Sequence, residues 1–105
     1  MDISESDLDM FFKDYQLEAL RVLWAADEGL LSRAVWERVN QRRSQSISRA
    51  SIINFLNDVL EMGILGGTIE TGKGGHMTRY EANMSERELK QHLSKVVKAK
   101  LDEMM

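Results

Sequence analysis

The side chains best suited to binding chemistry lie on the polar face of one predicted helix. Arg49, Ser51 and Asn54 occupy that polar side, and guanidinium and amide groups can form paired hydrogen bonds with base edges. The sequence Gly-Lys-Gly-Gly-His at 72–76 follows, where a backbone rich in glycine can approach phosphates. This order of a polar helix and a glycine-rich segment indicates contact with a nucleic acid.

Catalytic and metal-binding chemistry finds little support in the sequence. The chain has two histidines, His76 and His92, in different predicted elements, and it has no cysteine. A thiol nucleophile and a cysteine-based metal site are therefore excluded. His76 beside Met77 makes a poor site for a soft metal, because two adjacent residues supply too few ligands. We therefore predict that the chain is not an enzyme and needs no cofactor or metal.

The charged residues are unevenly distributed, although the net charge is only −3. Residues 1–28 carry eight acidic and two basic side chains, whereas residues 29–80 carry seven basic and four acidic ones. The basic excess coincides with the polar helix and the glycine-rich segment, as expected of a surface that binds nucleic acid. Ordinary variation in a surface that is 30% charged is the alternative explanation.

Apolar periodicity and helix caps predict the elements that position these residues. The helix at 48–62 is expected to begin with Ser48 as its cap and to stop at Gly63, with an apolar stripe opposite the polar face. A hairpin follows, with strands at 64–70 and 77–82 and a loop longer than a two-residue turn. The helix at 48–62, which we call the reading helix, would therefore lie directly before the hairpin in the chain.

The other elements give a predicted order of helix, helix, helix, hairpin and helix. One or two helices are expected over 6–26, followed by a very short strand at 30–31. Ser32 is predicted to cap a second helix that ends near Arg42. The Ser-Glu-Arg-Glu sequence at 85–88 has the pattern of a capping box and opens the last helix.

Apolar stripes at the two ends of the chain are candidates for dimerisation. They comprise Leu8, Phe11, Phe12 and Tyr15 near the beginning and Leu89, Leu93, Val96, Val97, Leu101 and Met104 near the end. The stripe near the end could instead pack back on its own domain, but we favour an interface between protomers around a two-fold axis, to which the first stripe could also contribute. The predicted organisation is an acidic helical extension at 1–14, a nucleic-acid-binding domain at 15–84 and a dimerisation helix at 85–105.

Three segments of the chain resemble the penicillinase-repressor family of winged-helix regulators. Residues 16–24, Gln-Leu-Glu-Ala-Leu-Arg-Val-Leu-Trp, are similar to the first-helix signature of that family. Residues 57–65 resemble the end of its third helix and its first wing strand, and residues 78–80 resemble its second wing strand. The resemblance implies a homodimer that binds a palindromic operator in double-stranded DNA. The cysteine-rich tail of the copper-responsive members is missing, so copper sensing by that route is excluded.

The resemblance also extends the set of candidate DNA-binding residues. It implies that the first turns of the third helix face DNA, which adds Ala50, and that Lys73 and Arg79 serve the wing. Arg42 and Arg43 precede the reading helix, where a phosphate contact and a solvated helix end are equally good interpretations. The complete set is Arg42, Arg43, Ser48, Arg49, Ala50, Ser51, Asn54, Lys73, His76 and Arg79.

The predicted fold is a mainly helical α+β winged helix-turn-helix, with a three-helix core, a two-stranded hairpin wing and helices at both ends. The predicted function is that of a homodimeric repressor of transcription. A winged-helix module for protein–protein interaction is the alternative, which the net acidity keeps open. The beginning of the chain does not have the pattern of a signal peptide, and no apolar run approaches the roughly 20 residues of a bilayer span. We therefore expect a cytoplasmic protein without a membrane partner.

Overall fold

The computed structural model describes residues 8, 11–72 and 75–104. This part of the chain forms four helices and a three-stranded antiparallel sheet, so the expectation of a mainly helical α+β fold is confirmed. In chain order the elements are α1 (Asp14–Ala25), β1 (Leu30–Leu31), α2 (Ser32–Gln41), α3 (Arg49–Glu61), β2 (Leu65–Gly72), β3 (Gly75–Ala82) and α4 (Glu86–Met104).

The first helix begins later than the apolar stripe at the start of the chain predicts. Phe11 and Phe12 both donate their backbone N–H to the carbonyl of Leu8, at 3.0 Å each, which closes a single turn. The N–H of Lys13 then donates to Oε1 of Gln16 at 2.9 Å, and α1 starts at the next residue. Of the one or two helices expected over 6–26, the described residues form one regular helix, α1, because the Gln16 side chain satisfies the backbone donor of Lys13 just outside the helix start. The predicted beginning of that helix, at Ser6, lies outside the described residues.

The second helix differs from the prediction in its cap. Leu31 is extended and occupies the N-cap position, and Ser32 is the first helical residue instead of the cap. The reason is tertiary: Leu30 and Leu31 pair with β3, so the chain remains extended up to the helix start. The very short strand predicted at these two leucines is confirmed.

The third helix has the predicted signals at both ends. The N–H of Ser51 donates to Oγ of Ser48 at 3.1 Å, which satisfies one of the unpaired donors of the first turn. Gly63 follows the helix with a φ of +81°, a left-handed conformation that glycine adopts without steric cost. Between these ends, the helix buries Ile52, Phe55, Leu56 and Val59.

The hairpin strands are longer and their connection is shorter than predicted. Antiparallel pairing continues from Leu65 with Ala82 out to Gly72 with Gly75, so two residues lie between the paired positions. The predicted loop over 71–76 is therefore wrong, because Thr71 and His76 are still paired. The third strand, β1, pairs with β3 on its other side, which gives the sheet order β1-β3-β2.

The hydrophobic core lies where α1, α2, α3 and the inner end of the hairpin meet. The buried side chains of this cluster are Ala19, Leu20, Val22, Leu23, Leu30, Val35, Val39, Ile52, Phe55, Leu56, Val59, Ile64, Leu65, Tyr80 and Leu89. Phe12 and Tyr15 pack edge-on against the ring of Phe55, with ring centroids 6.0 and 6.4 Å apart. The beginning of the described chain is thus joined to the buried face of α3.

The last helix is packed at its beginning and exposed toward its end. Ser85 and Glu88 form the predicted capping box, with Glu88 donating its N–H to Oγ of Ser85 at 3.1 Å and Ser85 donating its own to Oε1 of Glu88 at 3.2 Å. Leu89 is fully buried, whereas Leu101 and Met104 are 48% and 83% exposed. Among the described helices, none has the length and apolar character that crossing a membrane requires.

Candidate nucleic-acid interface

The first two turns of α3 present a polar face to solvent. Arg49, Ala50 and Asn54 are exposed, while the apolar residues of the opposite face enter the core. Oγ of Ser48 and Oγ of Ser51 lie 2.8 Å apart, so these two hydroxyls are engaged with each other and with the helix cap. The groups that project outward are therefore a guanidinium, a methyl and a carboxamide.

A compact hydrogen-bond cluster fixes where α3 starts relative to α2. The backbone N–H of Ile47 donates to Oδ1 of Asn40 at 2.9 Å. The carbonyl of the same residue accepts from Nε1 of Trp36 at 2.9 Å and from Nδ2 of Asn40 at 3.3 Å. Both backbone groups of Ile47, two residues before Arg49, are thus held by side chains of α2. Sequence analysis missed this cluster because its partners are seven and eleven residues apart.

A cavity of about 440 Å³ separates the start of α3 from the hairpin, and we call it the basic groove. Two arginines and a histidine in its lining come from three elements: Arg33 in the first turn of α2, Arg49 at the start of α3, and His76 in β3. Tyr80 is part of the lining and donates its hydroxyl to Oδ1 of Asn57 at 2.7 Å, which joins β3 to α3. Burial raises the pKa of the Tyr80 phenol, so this donor stays protonated at neutral pH.

The predicted wing residue Arg79 is partly exposed and is held against the protein by two partners. Its Nε and Nη2 donate to the two carboxylate oxygens of Glu70 at 2.6 and 3.2 Å, and its Nη1 donates to the carbonyl of Gly29 at 2.8 Å. The hydrogen bonds from Arg79 lower the pKa of the Glu70 carboxyl, and those same bonds raise the pKa of the Arg79 guanidinium. Three of the five guanidinium N–H groups are therefore engaged, so a phosphate contact through Nε would require Arg79 to leave Glu70.

Gly29 lies directly beneath the Arg79 side chain. A Cβ added to Gly29 would lie 2.8 Å from Cγ of Arg79 and 3.2 Å from the carbonyl oxygen of Tyr80. The absence of a side chain at this position therefore allows the hairpin to approach the turn between α1 and β1.

The two predicted phosphate ligands at the end of α2 have different surroundings. Arg42 is the exposed C-cap of α2. Arg43 is partly buried, with Nη1 3.8 Å from Oε1 of Glu18 and Nε donating to the carbonyl of Gln45 at 3.1 Å. Both arginines line a cavity that also contains Asp14 and Glu18 and is separate from the basic groove. Arg43 is thus tied back to α1, and Arg42 projects outward.

A second cavity, of about 390 Å³, has the opposite charge, and we call it the acidic cleft. It lies between the end of α1, the end of β3 and the start of α4. Nε1 of Trp24, which lines it, donates to the carbonyl of Met84 at 2.9 Å. The carboxylates of its lining are those of Asp27, Glu28, Glu81, Glu86 and Glu88.

The structure brings together only part of the predicted binding set. Arg49 and His76 meet at the basic groove, whereas Arg42, Arg43 and Arg79 lie elsewhere among the described residues. Lys73 lies outside the described residues. Ser32 and Arg33, which the sequence analysis did not select, line the same groove. The only sequence signal for Arg33 was its place in the basic stretch of the chain, because the approach of α2 to β3 is a tertiary feature.

Some of the candidate dimerisation residues are buried within the protomer, and others are exposed. Leu8 and Leu89 are fully buried within the protomer, and Phe12, Tyr15 and Leu93 pack against its core. The remaining described members are partly or largely exposed: Phe11, Val96, Val97, Leu101 and Met104.

Comparisons with known proteins relate the chain to solved structures and to no family model. No protein-family model matches the sequence, and no curated protein matches it. The fold is similar to that of the ferric uptake regulator Fur from Helicobacter pylori, with a TM-score of 0.60 and 18% sequence identity. The similarity covers 94% of this chain and 83% of the other. The two chains share a fold. The comparison does not single out the penicillinase-repressor family.

The Fur structure is described as having three functional metal-binding sites. Within residues 8, 11–72 and 75–104 of this chain, no three His, Cys, Asp or Glu side chains are grouped so as to hold a metal ion. The described residues therefore contain no group that fits such a site.

Proposed function

We propose that this chain is a winged helix-turn-helix regulator of transcription that binds double-stranded DNA. In this proposal α3 enters the major groove and the β2–β3 hairpin is the wing, which lies along the backbone. The proposal rests on the exposed polar face of α3, whose first residue shares a basic groove with the hairpin. The fold similarity to a protein named as a regulator adds support.

The shape and chemistry of α3 suit this role. The major groove of B-form DNA admits an α-helix. Helix-turn-helix proteins contact base edges through the first residues of the second helix of the motif, which is α3 in this proposal. Arg49 and Asn54 carry groups that pair with guanine and with adenine, respectively. Ala50 offers a methyl for contact with thymine. Ser48 and Ser51 stabilise the helix start and would contact DNA through the groups that capping leaves available.

The proposed phosphate contacts follow from where the basic side chains lie. Arg42 is exposed beside the turn that precedes α3, and His76 lies in the outer part of β3. Lys73 is proposed as a wing contact from its sequence position. Arg43 and Arg79 are the costlier candidates, because each must first leave an acidic partner.

We further propose that the protein acts as a homodimeric repressor on a palindromic operator, with the exposed end of α4 in the interface. Val96, Leu101 and Met104 lie on the part of α4 that extends beyond the core, and apolar side chains exposed in this way gain from burial in a partner. A two-fold dimer would require half-sites about 10–10.5 base pairs apart, or a multiple of that distance.

Titration of a fluorescent random-sequence duplex with the full chain at two salt concentrations tests DNA binding. We expect binding that weakens steeply with salt, because each phosphate contact releases counterions. Selection of bound sequences from a random pool would then yield the operator, and sedimentation analysis would give the oligomeric state. A recovered site without two-fold symmetry, or a monomer at micromolar concentration, would contradict the dimer.

A protein-interaction module is the second candidate function, and one observation favours it. Three ion pairs engage arginines that would otherwise be available to phosphates: Arg33 with Glu37, Arg43 with Glu18, and Arg79 with Glu70. A surface neutralised in this way suits a protein partner better than a bare basic surface does. Absence of salt-dependent binding to DNA at micromolar protein would favour this function.

A further inference from the structure

We propose that the basic groove seats a phosphate of the DNA backbone and that Arg33 of α2 binds it, with Glu37 holding the Arg33 side chain until DNA displaces it. This inference rests on the proposed DNA-binding function and adds to it a phosphate-binding residue, Arg33, that neither the helix pattern nor the hairpin indicated. It also assigns the class of group that the groove receives, a phosphodiester.

The groove has the chemistry of an anion site built by separate elements. Arg33 comes from α2, Arg49 from α3 and His76 from β3, so three residues with nitrogen-donor groups line one cavity of about 440 Å³ from separate elements. Among the described residues that line it, none is acidic. Guanidinium groups match the geometry of phosphate oxygens and can donate two hydrogen bonds to them.

The position of the groove fixes which part of the DNA would enter it. Arg49 is both the first residue of α3 and part of the groove lining. If the start of α3 reads base edges, a strand flanking those bases must pass between α3 and the hairpin. The groove lies at that place, so its ligand is the sugar-phosphate backbone adjacent to the bases that α3 contacts.

Arg33 is oriented in advance but is not locked in place. Its Nε lies 3.1 Å from Oε1 of Glu37, one helical turn further along α2. The two side chains are 72% and 51% exposed, and exposed pairs of this kind contribute little to stability. A phosphate carries the same acceptor geometry as the carboxylate and can therefore replace Glu37 with little loss.

Substitution of Arg33 tests the phosphate contact, and Arg38 supplies the matched control. Arg38 is an exposed arginine of the same helix that is not part of the groove lining. Wild type, R33Q and R38Q are titrated with a labelled random-sequence duplex at 50 and 200 mM salt. Loss of one phosphate contact changes the logarithmic salt slope by about 0.9, so the wild-type advantage over R33Q should be about 3.5-fold larger at 50 mM than at 200 mM.

Replacement of Glu37 tests the exchange of partners. E37Q should increase affinity for the duplex severalfold at 50 mM salt, because Arg33 no longer has to leave a carboxylate. In the double variant R33Q/E37Q this gain should disappear if the two side chains act as a coupled pair. An equal gain with and without Arg33 would show that Glu37 acts by long-range repulsion, and the exchange would be rejected.

The outcomes separate this inference from the function on which it rests. If wild type binds DNA with a clear salt dependence and R33Q keeps the same slope, Arg33 is not a phosphate contact while DNA binding stands. If R38Q lowers the slope as much as R33Q does, the effect belongs to general charge and the groove assignment fails. If wild type shows no salt-dependent binding, both proposals fail, and an acidic protein segment becomes the ligand to consider. Circular dichroism of each variant establishes that the exposed substitutions leave the fold intact.

Discussion

The basic groove and the acidic cleft lie toward opposite ends of β3 and have similar volumes, about 440 and 390 Å³. One is lined by Arg33, Arg49 and His76, and the other by five carboxylates. A net charge of −3 therefore conceals a strong local polarity. Local potentials govern the approach of a charged partner more than the total charge does, so the two cavities would orient a polyanion on the protein.

Replacement of Arg49, which lines the basic groove, should have the largest effect on DNA binding. Arg49→Ala should cost about 1–3 kcal/mol of binding free energy on the selected operator and relax the base preference at one position, if the guanidinium reads guanine. Titration of the operator and of a scrambled duplex measures both effects, with Arg38→Ala as the control. An equal loss on the two duplexes would remove Arg49 from base reading.

Substitutions of Trp36 and Trp24 should have the next largest effects. Trp36→Phe removes a hydrogen bond to the carbonyl of Ile47, and Trp24→Phe removes one to the carbonyl of Met84. Each should lower the free energy of unfolding by about 1 kcal/mol in a denaturant titration. Only Trp36→Phe should also weaken DNA binding, because Ile47 sets the start of α3. Similar losses of binding in both variants would contradict separate roles for the two regions.

Neutralising the acidic cleft should have a smaller effect of the opposite sign. The double substitution Glu28→Gln and Glu81→Gln removes two carboxylates that line it. Binding to random-sequence duplex should strengthen by a few tenths of a kcal/mol at low salt, and the gain should shrink as salt screens the charges. Titrations at 50 and 200 mM salt measure the change. Weakened binding would mean that the cleft itself contacts the partner.

The smallest expected effect is the pH dependence of the pair formed by Glu70 and Arg79. Folding lowers the pKa of Glu70 from its ordinary value of 4.5, so the pair stabilises the fold above that pH. This contribution is lost as the pH falls through the lower pKa of the folded state. The difference in denaturation midpoint between wild type and Glu70→Gln should therefore be present at pH 7 and decrease below 4.5. A difference that is constant with pH would assign the effect to packing.

Local signals predicted much of the fold. The Ser48 cap, the left-handed Gly63 and the capping box at Ser85 depend on neighbours within a few residues, and all three are present in the structure. The errors have tertiary causes. Pairing with β3 keeps Leu31 extended, so Leu31 instead of Ser32 occupies the N-cap position of α2. Thr71 remains paired with His76, so the hairpin loop is shorter than predicted.

The candidate site was less predictable than the fold, because its parts are distant in the sequence. Helical spacing identified the exposed face of α3, but no spacing rule brings Arg33 to the same cavity as His76, 43 residues further along the chain. In the same way, Arg79 was predicted to serve the wing, whereas in the structure it donates to the carbonyl of Gly29, 50 residues away. Charge can be read from the sequence, but whether an acidic partner already holds that charge depends on the fold.

The close approach of Arg79 to Gly29 has a genetic consequence. Because a Cβ at Gly29 would displace Arg79, a substitution in the turn between α1 and β1 has the same immediate effect as a lesion in β3. In a screen for loss of function, alleles at residue 29 should therefore group with alleles at residue 79, although the two codons are 50 positions apart. Shortening the side chain at 79 in a Gly29→Ala background should add little to the defect, because both substitutions remove the same contact.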